Sequence, residues 1–238
     1  MTGVNIDGGL NGHGVLEIMR ATVSSDDHER LMRGSMRAGA GDLVLIQVVD
    51  LHQAELWADL AVGLRIPSNG SVSIFGNDLS DLDTETCNWL RSRVGRVFSR
   101  GNWMDRLSLI DNVLLSARHH SGRSDDDLKA NASSLAASFG MPGIPLGMPD
   151  SFARIDLQRA ACVRAFLGDP VLVILEDPTY AAHTELLKPL VDVIRTTRNR
   201  GAAVLWFSPS AAIWRDKSIP VTRRYRMAGD ELMEVASR

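Results

Sequence analysis

The fold turns on the stretch Gly41-Asp42-Leu43-Val44-Leu45-Ile46-Gln47-Val48-Val49-Asp50-Leu51-His52-Gln53-Ala54-Glu55. The turn signal Gly39-Ala40-Gly41-Asp42 leads into Leu43–Gln47, an apolar run of buried-strand type. From Glu55 to Leu64 the apolar residues Leu56, Leu60, Ala61 and Leu64 fall at helical spacing. A buried strand followed by a helix is the opening unit of an α/β domain with a parallel sheet.

Working outward, Val15–Met19 reads as a short strand after a Gly-rich, loose N-terminus. Ser71–Phe75 alternates as a half-buried strand before the turn Gly76-Asn77-Asp78, and Val94–Phe98 is another short strand. Val171–Leu175 and Ala203–Phe207 are buried runs, separated by the helix Thr184–Arg200 and preceded by the helix Gln158–Leu167. Trp103 to Phe139 reads as mostly helical with a break at Ser121-Gly122, and Met141–Pro149 is a Pro/Gly-rich connector. Asp125-Asp126-Asp127 is expected to cap a helix starting near Leu128 rather than to bind a metal. His119-His120 suits a solvated helix end better than a ligand pair. The whole chain, 1–238, is expected to be one domain: a loose start over 1–14, a core over about 15–98 and 166–238, and a helical insert over about 99–165.

The bulk numbers agree with such a domain. The chain has 238 residues, 45% apolar and 23% charged, globular values with room for a real core. A net charge of −3 gives no reason to expect a nucleic-acid partner. No stretch approaches the roughly 20 apolar residues that span a bilayer, and Met1–Asn11 lacks the pattern of a signal peptide. Cys87 and Cys162 are too few for a disulfide framework and lack metal-ligand spacing, so a reducing, cytoplasmic setting is expected. Only Lys129, Lys188 and Lys217 of the 26 basic residues are lysine, and none falls in the first 128 positions.

The order and spacing of these pieces resemble the nucleotide-binding subunit of an ATP-binding-cassette (ABC) transporter. The frame runs through Gly41-Asp42-Leu43-Val44-Leu45-Ile46, Gly63-Leu64, Pro67 with Gly70-Ser71-Val72, and Gly76 with Asp78-Leu79. It continues through Val94-Gly95-Arg96-Val97-Phe98, Asp111-Asn112-Val113, Gln158-Arg159 with Arg164-Ala165, Asp169-Pro170 and Pro178-Thr179. The resemblance implies an α/β fold with a P-loop NTPase-like core, a mostly parallel central sheet, an N-terminal antiparallel β part and a helical subdomain insert.

Inside that frame the chemical positions depart from the family pattern. The phosphate loop G-x-x-x-x-G-K-[ST] should follow Leu43–Gln47, but Val48, Leu51 and Gln53 stand in the glycine region, Ala54 replaces the lysine and Glu55 the hydroxyl. Converging backbone N–H groups on phosphate needs φ > 0, which β-branched residues resist. Two unit charges about 4 Å apart at a dielectric near 20 interact by about 4 kcal/mol, so glutamate in place of lysine costs decades of affinity. Asp50 or Glu55 is expected to occupy the positive helix N-terminus as an internal anion. Ser99 stands where the family has glutamine, and Phe152-Ala153-Arg154-Ile155-Asp156 aligns with its L-S-G-G-Q signature. Glu176-Asp177 reverses the family's Asp-Glu pair, His183 ends a segment that would end in aspartate, and Pro209 stands for the switch histidine. No aromatic residue occurs between Leu16 and Ser35, where the family stacks one on adenine.

These departures lead to the expectation of a chain that is no enzyme: a pseudo-ATPase with no cofactor, no metal and no catalytic residue. The resemblance implies partners all the same, a membrane permease docked against Ser99, Arg100, Trp103, Met104 and Leu107, and an active cassette subunit or a second copy. Membrane contact would then be through the partner only, at the inner face of the cell membrane. Met104 and Trp103 are partner-anchor types when exposed, with packing of Trp103 into the insert as the competing reading. Arg100-Gly101-Asn102-Trp103-Met104-Asp105 through Asp111-Asn112-Val113 is similar to ATPases of bacterial Mce-type lipid transport systems. Two other readings are a weak, atypical ATPase using Glu176, Asp177 and the arginines, Arg154 especially, and a soluble regulator that borrows the cassette fold.

Overall fold

A computed structural model describes residues 14–24, 30–181 and 183–236. The residues read as a loose start lie outside it, apart from Gly14. Among the described residues ten strands form one sheet: β1 (Leu16–Ser24), β2 (Leu31–Ala38), β3 (Leu43–Gln47), β4 (Asn69–Ile74), β5 (Asn77–Asp78), β6 (Val94–Val97), β7 (Leu172–Glu176), β8 (Ala203–Ser208), β9 (Arg223–Ala228) and β10 (Glu231–Val235). Their order is β5-β4-β1-β2-β10-β9-β3-β8-β7-β6. From β9 to β6 every neighbour is parallel. β1, β2, β4 and β5 make the antiparallel part, and the β9–β10 hairpin joins the two halves.

The central strands are apolar throughout because both faces are covered. In β3, Val44 and Ile46 point into one core layer with Trp57 and Leu60, while Leu43 and Leu45 point into the opposite layer. β7 and β8 split the same way, Ile174 and Leu205 on one face, Val173 and Trp206 on the other. The first layer is closed by α1 (Leu51–Ala61). The second is closed by α3 (Leu109–His120), α4 (Asp125–Ser138), α5 (Arg154–Phe166) and α6 (His183–Asn199). α2 (Thr84–Arg91) and α7 (Ala211–Arg215) are the other α-helices among the described residues.

Several boundaries differ from expectation for identifiable reasons. α1 begins at Leu51, four residues before Glu55, because Asp50 caps it: its Oδ1 accepts from Gln53 N at 2.9 Å. The helical reading from Trp103 fails over its first six residues. There Asn112 accepts from Met104 N at 2.8 Å and its Nδ2 donates to the carbonyls of Met104, Leu107 and Ser108. Those bonds hold 104–108 as a turn, and Ser108 then caps α3. Ser124, not the aspartates, caps α4, which places Asp125, Asp126 and Asp127 in its first turn. β6 and α5 meet without any room for a side chain: a Cβ on Gly95 would lie 1.7 Å from the Ala165 carbonyl oxygen.

Candidate functional site

Parallel α/β sheets expose their ligand-binding crevice beyond the carboxyl ends of the strands. Here the turns after β3, β8 and β7 are adjacent, bringing Val48–Glu55, Ser208–Pro209 and Glu176–Asp177 to one edge.

After β3 the chain runs straight into α1. None of residues 48–55 has φ > 0, so their N–H groups do not curl into an anion cradle. Val48 is buried, with its N–H donating to the Ser208 carbonyl at 3.2 Å, while Val49 is 67% exposed. Val49 N–H donates to Gln53 Oε1 at 2.9 Å, so one donor that could face a phosphate is used by the chain itself. Gln53 Nε2 donates to the Gly229 carbonyl at 3.4 Å, and Leu51 opens the helix. Of the two expected internal anions, Asp50 is the one at the helix N-terminus, with Arg30 3.1 Å from its Oδ2. Ala54 is fully buried in the core. Glu55 turns toward the insert, where its carboxylate accepts a hydrogen bond from the Ser99 hydroxyl and lies 4.0 Å from Arg100 Nε.

β7 ends in Glu176, whose side chain is fully buried. Its Oε1 accepts from Arg96 Nε at 2.5 Å and its Oε2 from Ser99 N–H at 3.1 Å. Arg96 also donates to Asp59 Oδ1 of α1 at 2.6 Å. Burial raises the Glu176 pKa, and the Arg96 charge and hydrogen bond pull it back. Asp177 follows in a left-handed conformation, φ 46°. Its Oδ1 accepts from the Ser208 hydroxyl at 2.9 Å. Burial raises its pKa as well, opposed by Ser208 and by the charge of His183 at the start of α6. Pro209 is exposed beside Ser210, which caps α7.

The five residues 152–156 lie elsewhere, around the N-terminus of α5. Phe152 follows a short 3₁₀ turn (Pro149–Ser151) and Ala153 stands at a helix start with no side-chain cap. Arg154, Ile155 and Asp156 form the first turn, and Asp156 pairs with Arg159 at 3.5 Å. Among the described residues no hydrogen bond or ion pair joins Arg154 to Glu176 or Asp177; of the arginines considered for an atypical site, Arg96 is bonded to Glu176.

The loop from Ser99 to Leu107 is held from both sides. On the core side Ser99 is tied to Glu55 and Glu176. On the insert side Arg164 of α5 donates to the carbonyls of Gly101, at 2.5 Å, and Asn102, at 3.2 Å. Its guanidinium lies over the rings of Trp103, 4.3 Å from the centroid, and Phe98, at 5.5 Å. Trp103 is therefore half-buried in the second core layer, and Met104 is the open apolar residue, 55% exposed. Arg100 is exposed and Leu107 half-buried. Arg96, Arg164 and Asn112 stood in the resemblance without a role; only the fold reveals their partners, 80, 62 and 8 residues away.

No protein-family model matches the chain. It is 23% identical to the octopine permease ATP-binding protein P of Rhizobium meliloti, over 90% of this chain and 81% of that protein. It is 26% identical to the glutamate/aspartate import ATP-binding protein of Escherichia coli K12, over 71% of this chain and 64% of that protein. Among solved structures it is similar to the dimeric bacterial ABC transporter cassette MJ0796, with a TM-score of 0.80, 16% identity and coverage of 94% of this chain and 100% of that one. The same cassette in a post-hydrolysis state bound to ADP and Pi gives a TM-score of 0.78. The fold is that of an α/β ABC-transporter ATP-binding cassette. In sequence the chain is similar to the ATP-binding proteins of import systems.

Two consequences follow. Residues 48–55, as they stand, do not fit a triphosphate with its divalent ion: the helix start is capped by Asp50, Val49 N–H is taken by Gln53, and no lysine is present. The expectation that the chain is no enzyme is nevertheless overturned, because its relatives bear the name of ATP-binding proteins and a cassette of its fold holds the products of hydrolysis. That expectation rested on departures at the phosphate loop, Ser99, residues 152–156, Glu176-Asp177, His183 and Pro209 together; the likeness to ATP-binding proteins extends over most of the chain.

Proposed function

We propose that the chain is the cassette subunit of a membrane ABC transport ATPase, docked beneath a permease and paired with a second cassette, so that ATP turnover belongs to the paired assembly. The observation that carries this reading is the retained frame: the whole cassette sheet, with its insert tied to the core through Ser99, Arg96 and Arg164. Those ties stabilise a docking loop, with Met104 as its exposed anchor. Trp103 contributes by stiffening the loop against Arg164. The described helices include none long and apolar enough to cross a membrane, so attachment in this proposal runs through the permease, on the cytoplasmic face. The cargo we propose is a lipid, on the Arg100–Val113 resemblance; the named relatives serve octopine and glutamate/aspartate.

Membrane fractionation tests the proposal. The full chain should sediment with membranes in cells that carry the permease and return to the soluble fraction when the permease gene is deleted. A chain that stays soluble in both strains contradicts it. Lipid export or uptake unchanged by deletion of this gene would sink the cargo alone.

A further inference from the structure

The open edge of the sheet, β6, borders a cavity of about 540 Å³ between α2, the last turns of α3 and the end of α5. Five basic side chains line it, Arg93, Arg96, His120, Arg123 and Arg164, and among the described residues no carboxylate does. Two of these guanidiniums are already answered. Arg96 bonds Glu176 and Asp59, and Asp59 also lies 3.7 Å from Arg65, so two guanidiniums meet two carboxylates there. Arg123 pairs with Asp169 at 3.0 Å, but Arg200 pairs with the same carboxylate, which leaves positive charge over at the rim. Arg93 and Arg164 have no carboxylate within ion-pair distance among the described residues. Arg93 is exposed and lies over the Trp89 ring, 5.4 Å from the centroid. Arg164 is half-buried and held by the carbonyls of Gly101 and Asn102. Burial pushes its pKa down to about 10, the mark of a cation kept from water without a counter-ion. An anion entering the cavity would offset that desolvation and gain charge-assisted hydrogen bonds.

We propose that this cavity binds a small phosphorylated polyol with at least two anionic groups, one met by Arg93 and one by Arg164. The planar fork of each guanidinium matches a phosphate with two parallel hydrogen bonds. The volume suits a metabolite rather than a single inorganic ion. Recognition runs through the cations rather than through base stacking, because guanidiniums lie over both aromatic walls. Arg93 covers Trp89, and Arg96 and Arg164 lie 4.5 and 5.5 Å from the Phe98 centroid. Ser116, exposed on the wall, offers its hydroxyl to a hydroxyl of the ligand. None of residues 48–55 lines the cavity, so this site is separate from the phosphate-loop position. It stands whether or not a permease docks. Arg164 gives it a readout in the 99–107 loop, whose carbonyls the same side chain holds.

Calorimetric titration of the full chain with two probes, 2,3-bisphosphoglycerate and fructose 1,6-bisphosphate, and with fructose as the neutral counterpart, tests this. At least one bisphosphate should bind with a Kd under about 1 mM at low salt and weaken as salt rises, while fructose should not bind. Arg93→Glu should weaken that binding at least about tenfold, with Arg93→Gln between it and wild type. Arg33→Glu, the same charge change at an exposed position of β2, should leave it within about twofold. Saturation with the bisphosphate should also slow amide exchange over 99–107. No binding of either bisphosphate at about 10 mM, or binding of fructose as tight as theirs, overturns the inference. So does equal weakening by Arg93→Glu and Arg33→Glu, an affinity that neither Arg93 substitution changes, or unchanged exchange over 99–107 at saturation.

Discussion

Ser99 and Glu55, 44 residues apart in the chain, are joined by a hydrogen bond from the serine hydroxyl to the carboxylate. The N–H of the same serine donates to Glu176. One residue at the start of the 99–107 loop thus links α1, β7 and that loop. The resemblance led us to expect glutamine at this position; the serine hydroxyl adds the bond to Glu55, beside the backbone bond to Glu176.

Ser99→Ala removes the hydroxyl bond and keeps the backbone one. We expect a loss of about 1 kcal/mol in denaturant unfolding, with faster amide exchange confined to 99–107. Unchanged exchange in that loop would show that the bond does not hold it.

Arg96→Met leaves Glu176 buried without its cation. The cost should be about 3–5 kcal/mol at neutral pH, because an uncompensated buried charge remains. The sign of its pH dependence is fixed by direction. The folded-state pKa of Glu176 already lies above its ordinary value, and loss of Arg96 raises it further. A carboxyl whose folded pKa is raised binds its proton more readily folded than unfolded, so its penalty is largest above that folded pKa and shrinks as pH falls. Urea midpoints of wild type and variant should therefore converge on going from about pH 8 to about pH 5. A gap that widens toward acid would contradict the assignment.

Asp50→Ala removes the cap of α1 and should cost about 1 kcal/mol, with Asp50→Asn retaining most of the stability. Equal losses in the two variants, measured by thermal unfolding, would point to the Arg30 contact instead.

Gly95→Ala places a methyl group against the Ala165 carbonyl and should cost about 1–3 kcal/mol by prising α5 from β6. Because α5 carries Arg164, the Trp103 fluorescence should shift toward that of an exposed indole. A stable variant with native emission would show that the helix slides freely.

The central sheet was legible because β3, β7 and β8 are apolar on both faces, a pattern few surroundings other than a doubly covered sheet produce. β9 was not, although Tyr225 and Met227 alternate there, since Arg223, Arg224 and Arg226 mask the period. β2 was hidden likewise by Arg33 and Gly34 between Met32 and Met36, and by Arg37 after them. Within the site, the capping by Asp50 could be read from its place before a helix. The Arg96–Glu176 and Arg164–Trp103 contacts could not, because they join residues far apart in sequence and no local pattern encodes them. Trp103 shows the limit most clearly: its type left an exposed anchor and packing into the insert both open, and the structure packs it under Arg164.

Affinity purification of the tagged full chain from native membranes, with quantitative mass spectrometry, tests the central claim most directly. The account predicts a multi-spanning permease and a cassette partner in stoichiometric amounts, with the permease alone lost in Met104→Asp. A monomeric chain free of both partners, or a permease retained undiminished by Met104→Asp, would contradict it.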